Sequence, residues 1–298
     1  MKRMLKWSGI ILGSLIVLLA IAAVVLNRVG NGRLAAAPDV PVKAVEVPTD
    51  EAAIATGQRL AAISSCIECH GADLRGTVFV DEAPIGYIPA PNLTGGQGGV
   101  GGTYSDADWA GAIRHGVGAD GRTLVLMPSY HYAAYSDDDL GALIAYLKAV
   151  PAVDNDLGPR KLSFPGAIIF GVLAYSDWSV GKIDHAAVGS DSPAAAPSAA
   201  YGEYLAATAS CGSCHGEALT GNPGSDSPPG PNLTPGGALA TWTEADFITA
   251  LRTGQTPDGR ELRAEMPWRG YAQMTETELR ALWAYLQTLE AQASTLVE

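Results

Sequence analysis

The cysteines of this chain stand in two copies of one short pattern, Cys-x-x-Cys-His. The first copy is Cys66, Cys69 and His70, and the second is Cys211, Cys214 and His215. This spacing attaches haem covalently, since two thiols add across the two vinyl groups of one porphyrin and the adjacent imidazole can bind the iron. No cysteine is left over. The sequence therefore predicts two covalently bound haem c groups per chain, each with the motif histidine as an iron ligand.

Paired cysteines could also serve other chemistry. Disulfides, a four-cysteine zinc site or redox-active dithiols would use the same thiols. None of them requires a histidine directly after each pair, and the chain has only five histidines in 298 residues. Haem attachment is therefore the interpretation that accounts for every residue of the pattern.

Each haem iron needs a second axial ligand from elsewhere in the chain. Met127 and Met266 each precede a proline at corresponding places of the two halves, and a thioether is a soft ligand that raises the potential of haem iron. Met274 has no methionine as its counterpart. His131 competes for the first iron, but Gly270 stands in its place in the second half. We therefore expect Met127 and Met266 to be ligands, although a core methionine is often a packing residue.

Further candidates surround each motif. A ligating histidine usually donates its other ring N–H to a fixed acceptor, and the peptide carbonyls of Pro91 and Pro231 are candidates; otherwise both are simple turn prolines. Four arginines either pair with the haem propionates or are solvated: Arg114, Arg122, Arg252 and Arg260. We expect His115 and His185 to be surface or structural residues.

The chemistry lies within an internal repeat with a period near 140 residues. Pro91-Asn92-Leu93-Thr94 recurs as Pro231-Asn232-Leu233-Thr234, and Gly57 and Gly202 stand nine residues before the first cysteine of each motif. The order of the matching features is the same in both halves. Two long copies indicate a duplicated domain, because a solenoid needs three or more shorter units.

Three main helices are predicted in each half. The first covers about 50–65 and about 199–210. The others begin near a Ser or Thr that is followed three positions later by Asp or Glu, a helix-start signature: Ser105, Ser136, Thr243 and Thr275. Gly116 and Gly254 suit a left-handed helix end. The loops exceed the usual ~12–15 residues, which a large buried prosthetic group would explain because it supplies a core for them to wrap.

An uncharged run of nineteen residues, 8–26, lies near the amino terminus. Its length suits a helix that crosses a bilayer, and the preceding Lys2, Arg3 and Lys6 predict that its start stays cytoplasmic. The rival interpretation is a cleaved signal peptide, whose apolar region is usually only ~7–15 residues long. We favour a retained anchor, and either reading places the rest of the chain outside the cytoplasm.

These features divide the chain into five segments. They are a membrane anchor at 1–33, a linker at 34–48, a first haem-binding domain at 49–152, an interdomain arm and linker at 153–197, and a second such domain at 198–298. The apolar part of the arm, 164–175, is too short and too interrupted by glycine to cross a membrane. We therefore expect it to pack on a domain surface.

The charge distribution narrows the possible partners. The net charge is −12, and 34–298 holds 14 basic and 31 acidic side chains, a balance of −17. Nucleic acid is excluded as a partner because it requires a basic surface. An acidic surface suits docking to a basic protein, or it serves solubility alone.

Taken together, these residues resemble class I cytochromes c. The resemblance covers about 50–150 and 199–290 and rests on Cys-x-x-Cys-His, the following Pro-Asn-Leu, Met-Pro beyond the second helix and an aromatic-bearing last helix. The second half is especially similar to cytochrome c subunits of periplasmic dehydrogenases and to bacterial dihaem cytochromes. The resemblance implies an all-α fold, with two tandem class I domains after the N-terminal transmembrane helix and His and Met axial ligands. The Gly-rich insert at 95–102 and the longer loop between Cys69 and Pro91 depart from the family pattern.

The expected function is electron transfer without a catalytic residue. Two six-coordinate haems suit a relay between a donor and an acceptor redox protein of a respiratory or dehydrogenase chain. The chain would cross the cytoplasmic membrane once, with its haem domains in the periplasm. A dihaem enzyme, such as a peroxidase or a thiosulfate-oxidising cytochrome, would need an open iron site or a free cysteine. A fixed subunit of an oxidase or dehydrogenase complex remains an alternative with the same chemistry.

Overall fold

The computed structural model describes most of the chain. The described residues are 2–177, 179–189, 191–224 and 229–293. Parts of the predicted segments lie outside them, namely Met1 of the anchor, Trp178 and Ser190 of the arm and linker, and 225–228 and 294–298 of the second domain.

A single long helix, α1 (Lys2–Ala35), opens the described part of the chain. Among the described helices it alone is long and apolar enough to cross a membrane, and its most apolar stretch is not buried against the rest of the protein. The helix continues two residues beyond the predicted anchor boundary, since no proline interrupts it. Residues 36–49 then follow without regular structure.

The residues between α1 and the arm form a first unit that contains five helices. They are α2 (Glu51–Ile63), α3 (Cys66–His70), α4 (Asp106–Ala110), α5 (Ser129–Tyr132) and α6 (Asp137–Ala149). One turn of π-helix, 111–115, extends α4 to the left-handed Gly116. Helices α2 and α6 pack against each other and enclose the core with Trp109.

An arm connects the two units, and the second unit repeats the helices of the first. The arm contains α7 (Phe164–Ile168), which a π-helical turn continues to Leu173, and α8 (Ser179–Lys182). The second unit contains α9 (Ala199–Thr208), α10 (Cys211–His215), α11 (Glu244–Thr253), α12 (Trp268–Tyr271) and α13 (Glu276–Leu286).

The first unit also carries a small antiparallel sheet that the sequence did not predict. Its strands are β1 (Thr77–Glu82), β2 (Gly86–Ala90) and β3 (Lys161–Leu162), in that order. Strands β1 and β2 form a hairpin within the long loop between Cys69 and Pro91, and β3 comes from the arm. The predicted all-α class is confirmed as a mostly helical fold, with this sheet as the departure from it. The hairpin accounts for the extra length of that loop.

The predicted helix starts carry their expected caps. Ser105 accepts a hydrogen bond from the backbone N–H of Asp108, whose carboxylate accepts from the N–H of Ser105 in return. Thr243 and Thr275 form the same reciprocal arrangement at α11 and α13. Such caps stabilise a helix start because they satisfy backbone donors that have no partner within the helix.

The repeated glycines, Gly57 and Gly202, mark the closest approach of the helices in each unit. A Cβ built on Gly57 would overlap the carbonyl of Ala142 on α6, and one built on Gly202 would overlap the carbonyl of Ala281 on α13. The first and last helices of each unit can therefore approach this closely only because a glycine, which has no side chain, stands at the contact.

We expect Gly57→Ala and Gly202→Ala each to lower the free energy of unfolding by ~1–3 kcal/mol, the usual cost of overpacking. This loss should exceed the gain in helix propensity, which is about 1 kcal/mol. Chemical denaturation of the haem-loaded protein measures it. Gly111→Ala is the matched control, because its Cβ would meet no atom closer than 3.5 Å. Equal stability of Gly57→Ala and Gly111→Ala would contradict the helix contact.

Candidate haem-binding sites

The two Cys-x-x-Cys-His motifs adopt the same local structure. Each forms one short helix that begins after a left-handed residue, Ser65 with φ 58° in the first unit and Ser210 with φ 60° in the second. That residue separates the motif from the preceding helix and turns the chain sharply. Residues three and four positions apart share one face of a helix, so the two thiols and the imidazole of each motif lie on a common side.

The cysteines are free thiols rather than disulfides. Burial raises the pKa of Cys66 and of Cys211 to about 12, and the neighbouring cysteine contributes in the same direction. Both therefore stay protonated at neutral pH. A porphyrin bound between them would consume both thiols of a motif as thioethers.

Each motif histidine is held by a backbone carbonyl of the loop that follows. His70 Nδ1 lies 2.8 Å from the carbonyl oxygen of Pro91, and His215 Nδ1 lies 2.8 Å from that of Pro231. An Nδ1–H that donates to the carbonyl leaves Nε2 unprotonated and available to a metal. Burial lowers the pKa of both histidines, which favours the neutral ring that a metal requires.

The proline carbonyls are themselves fixed by the asparagine that follows each of them. Asn92 accepts a hydrogen bond from the Thr94 N–H at 2.9 Å and donates to the Val153 carbonyl at 2.7 Å. Asn232 accepts from the Thr234 N–H at 2.8 Å and donates to the Gln292 carbonyl at 2.7 Å. The repeated Pro-Asn-Leu-Thr segment therefore ties the histidine loop to the chain beyond the last helix of its unit.

A largely apolar cavity in the first unit brings the predicted haem residues together. Cys66, Cys69, His70 and Met127 all line it. Its other walls include Ile88, Leu93, Trp109, Ile113, Val125 and Leu143. Trp109 is 2% exposed, and its Nε1 has no hydrogen-bond partner among the described residues. A buried donor without a partner is costly, so these residues fit a large apolar group that also carries acceptor oxygens.

The two candidate methionines occupy equivalent places. The proline after each has nearly the same backbone, with φ −82° and ψ 51° at Pro128 and φ −80° and ψ 49° at Pro267. Met127 and Met266 are half-buried, and each packs against the same core as the first cysteine of its motif. Met274 is 1% exposed and lies within the second core, so its place is that of a packing residue.

His131 is less well placed than Met127 for the first iron. It is not among the described residues that line the cavity, and its ring contacts that of Tyr130 in a tilted arrangement, with ring centroids 4.0 Å apart. Burial, with a further contribution from Lys182, lowers the pKa of His131 to about 4. Its counterpart Gly270 has no room for a side chain, since a Cβ there would overlap the carbonyl of Ala62.

The arginines divide into cavity residues and structural residues. Arg122 lines the first cavity, and so does Arg160 of the arm, which the sequence did not single out. Arg114 is neither solvated nor at the cavity, because it is buried, pairs with Asp137 at 2.7 Å and donates to the Tyr135 carbonyl. His115 is likewise buried and structural, with its Nδ1 3.0 Å from that of His185. Neither could be placed by sequence, since both contacts are remote along the chain.

The two attachment turns meet at the interface between the units. Ser64, two residues before Cys66, donates to the Thr208 carbonyl of the second unit at 3.4 Å. Ile63 is buried within the core of the second unit. The two motif turns are therefore direct neighbours in space, although about 140 residues separate them in sequence.

The contacts around these turns are nearly symmetric. Arg59 on α2 pairs with Glu278 on α13 at 3.3 Å. In the opposite direction, Tyr204 on α9 donates to the carboxylate of Asp139 on α6. Both carboxylates lie three residues into the last helix of their unit. The interface therefore repeats one contact pattern in both directions, as expected for two copies related by an approximate two-fold axis.

Comparison with known proteins agrees with this geometry. The cytochrome c family profile matches 54–151 and 199–290, one match for each unit. The cytochrome c subunit of the quinone-dependent alcohol dehydrogenase of Gluconobacter oxydans (strain 621H) is 28% identical over 270 residues, which are 81% of this chain and 56% of that protein.

Two other relatives are also cytochromes. The fructose dehydrogenase cytochrome subunit of Gluconobacter japonicus is 26% identical over 280 residues, 85% of this chain and 56% of that protein. A dihaem c-type cytochrome of Cereibacter sphaeroides is 28% identical over 272 residues, 79% of this chain and 85% of that protein. The chain thus spans about half the length of the two dehydrogenase subunits.

Proposed function

The chain belongs to the cytochrome c family, and from that premise we propose that it is a membrane-anchored dihaem cytochrome that relays single electrons between two redox proteins. Cytochrome c domains bind haem c covalently, and the electron-transfer role follows from the family. The number of haems, their ligands, the anchor and the partners are parts of the proposal.

The observation that carries the proposal is the pairing of two thiols, a buried neutral histidine and a methionine at one cavity. When bound, haem c supplies a one-electron Fe(III)/Fe(II) couple. In the first site Cys66 and Cys69 would hold the porphyrin, and His70 and Met127 would bind its iron. Cys211, Cys214, His215 and Met266 take the same roles in the second site. Trp109, Arg122 and Arg160 line the same cavity and would supply donors to the carboxylates of the first haem.

Each part of the site serves electron exchange rather than substrate chemistry. The Pro91 and Pro231 carbonyls orient the histidine rings and fix their protonation. Two strong protein ligands leave an iron without an open position for a substrate. The apolar walls exclude water, and together with the thioether they raise the potential of the couple.

The interface between the units suits transfer within one chain. The attachment turns lie against each other through Ser64 and Thr208, so the covalent links of both sites start from adjacent backbone. An electron that enters one unit can therefore leave through the other. Arg59 and Glu278 help to fix this arrangement.

A second reading, a fixed subunit of a dehydrogenase complex, is favoured by the relatives. Two of them are cytochrome subunits of alcohol and fructose dehydrogenases. The anchor at α1 serves such a subunit as well as it serves a free carrier. We place the two units on the periplasmic side, because Lys2, Arg3 and Lys6 favour a cytoplasmic start of α1. Co-purification of a dehydrogenase after mild detergent extraction would support the subunit reading.

Redox titration of the purified protein, followed by visible and near-infrared spectroscopy, tests the carrier function. We expect two low-spin components, each taking up one electron, and no change in either spectrum on addition of peroxide. A high-spin component together with peroxide turnover would contradict the carrier and favour the dihaem enzyme.

A further inference from the structure

The end of the membrane helix is packed into the wall of the first haem cavity. Leu34 of α1 forms a small core with Ile88 of β2, Val125 and Phe170 of the arm. Ile88 and Val125 are also walls of the first cavity. The helix and the first haem site therefore share side chains.

Hydrogen bonds join the carboxyl end of α1 to the loop at 121–125. Arg160 donates to the carbonyl of Leu34 at 3.1 Å and to that of Thr123 at 3.0 Å. The Thr123 hydroxyl donates to the Arg33 carbonyl at 2.9 Å, and the Ala37 N–H donates to the Gly121 carbonyl at 2.7 Å. Helix carbonyls without partners in α1 are thus satisfied by Thr123 of the loop that leads to Met127 and by Arg160 of the arm.

The arm packs against the last turns of α1 without intervening side chains. A Cβ on Gly30 would overlap the carbonyl of Ala167, and a Cβ on Gly171 would overlap the backbone of Gly30. The arm also supplies β3, which pairs with β2 of the first unit. Helix, arm and first unit are therefore in direct contact, and we call the contacting residues the anchor junction (27–37, 121–125 and 158–173, with β2).

The height of the arm relative to a membrane follows from the helix. Nineteen apolar residues ending at Leu26 span about 28 Å at ~1.5 Å per residue, close to the ~30 Å hydrocarbon thickness. Leu26 is thus at the hydrocarbon boundary. The next residue, Asn27, donates to the Phe164 carbonyl at 2.8 Å, so the start of α7 in the arm is at the level of the lipid headgroups.

The arm presents apolar side chains at that level. Phe164 is 49% exposed and Leu173 is 70% exposed, although both belong to a helical segment that is otherwise largely buried or half-buried. Arg28 and Arg33, one on each side of Gly30, are exposed on the adjoining turns of α1. Exposed aromatic and aliphatic residues beside arginines are typical of a surface that lies in a headgroup layer.

We propose that the arm segment 164–173 lies in the headgroup layer of the membrane and, through the anchor junction, holds the first haem site at the lipid surface. The occupant of its exposed apolar face is therefore the bilayer itself. This proposal rests on the proposed membrane anchor.

Accessibility of single introduced cysteines tests the proposal in the full-length, haem-loaded protein. The native cysteines are consumed as thioethers, so only Phe164→Cys, Leu173→Cys and the control Gln287→Cys react with a membrane-impermeant maleimide. Gln287 is exposed at the end of the second unit. In phosphatidylcholine–phosphatidylglycerol nanodiscs, we expect positions 164 and 173 to react at least about tenfold more slowly than 287, each rate being normalised to the denatured protein.

Two controls separate the possible failures. A haem-to-protein ratio equal to that of the unsubstituted chain shows that a variant is folded, and either arm position alone is sufficient for the test. Vesicle flotation reports the anchor: protein that does not float contradicts the anchor itself. If the protein floats but positions 164 and 173 react as fast as 287, the anchor stands and the headgroup contact of the arm is overturned.

Discussion

Replacing Cys66 and Cys69 together with alanine should remove half of the covalently bound haem. Cys66 and Cys69 are the two thiols of the first motif that can form thioether bonds to haem. The second motif has its own pair of cysteines. We expect one haem per chain in place of two, and a single redox component in place of two. Quantitative haem analysis of the denatured chain against its protein content measures the loss.

The matched variant is the double substitution Cys211→Ala and Cys214→Ala, which should remove the other half. Both variants are needed, because Ile63 of the first unit is buried in the core of the second and loss of one haem can weaken its neighbour. A haem content that stays at the full value in either double variant would contradict attachment at that motif. Complete loss in both would show that the units do not bind haem independently.

Replacing Met127 or Met266 with alanine should abolish the sulfur-to-iron charge-transfer band of one haem and lower its potential. Thioether ligation raises the potential of haem iron, and axial ligands tune it over a range of ≈ 0.8 V. We expect a decrease on the order of 0.2 V for the affected haem within that range. Near-infrared absorption and potentiometric titration of each variant measure the two effects.

Two substitutions serve as controls for the methionines. Met274→Leu should keep both charge-transfer bands, because Met274 is a buried packing residue of the second core. His131→Phe should also keep them, because His131 is not among the described cavity residues. If His131→Phe changed the spectrum of the first haem while Met127→Ala had no effect, His131 and not Met127 would be the second axial ligand of that haem.

Local features of the chain were readable from the sequence because their physical causes are local. The Cys-x-x-Cys-His spacing specifies attachment within one helical turn, and the Ser105, Thr243 and Thr275 caps depend on a residue three positions away. The repeat then doubled each signal, since every feature of one half could be checked against the other. This explains why the helical class, predicted as all-α and found to be mostly helical, and the family could be predicted.

The sheet could not be predicted because its strands are weak signals that depend on distant pairing. Strand β2 contains a proline, and β3 is only two residues long and comes from the arm. Such segments form strands only when the tertiary structure brings them together. The arm was expected to pack on a domain surface, but its contact with the last turns of α1 could not be derived.

The roles of Trp109 and Arg160 were also outside the reach of the sequence. Trp109 is recognisable as a helix core residue, and only its unsatisfied Nε1 beside the cavity gives it a place in the site. Arg160 stands in the non-repeating arm and reaches Leu34 from 126 positions away. Cavity walls gathered from remote segments carry no signature that periodicity or motif spacing can detect.

The contacts between the two units could not be predicted from the sequence either. Arg59 and Glu278 are ordinary helix residues by sequence, and their pairing is set by how the two copies meet. The matching contact uses Tyr204 with Asp139, so the repeat conserves the position of the carboxylate but not the chemistry of its partner. Comparison of the two halves therefore indicates a duplicated domain but not the orientation of the copies.

The intact mass of the denatured, acid-acetone-washed chain tests the central claim most directly. Covalent attachment through Cys66, Cys69, Cys211 and Cys214 predicts a coloured polypeptide whose mass exceeds that of the bare chain by two haem groups. Peptide mapping should place one group on each Cys-x-x-Cys-His segment. A colourless polypeptide with the mass of the bare chain and four free thiols would contradict the account.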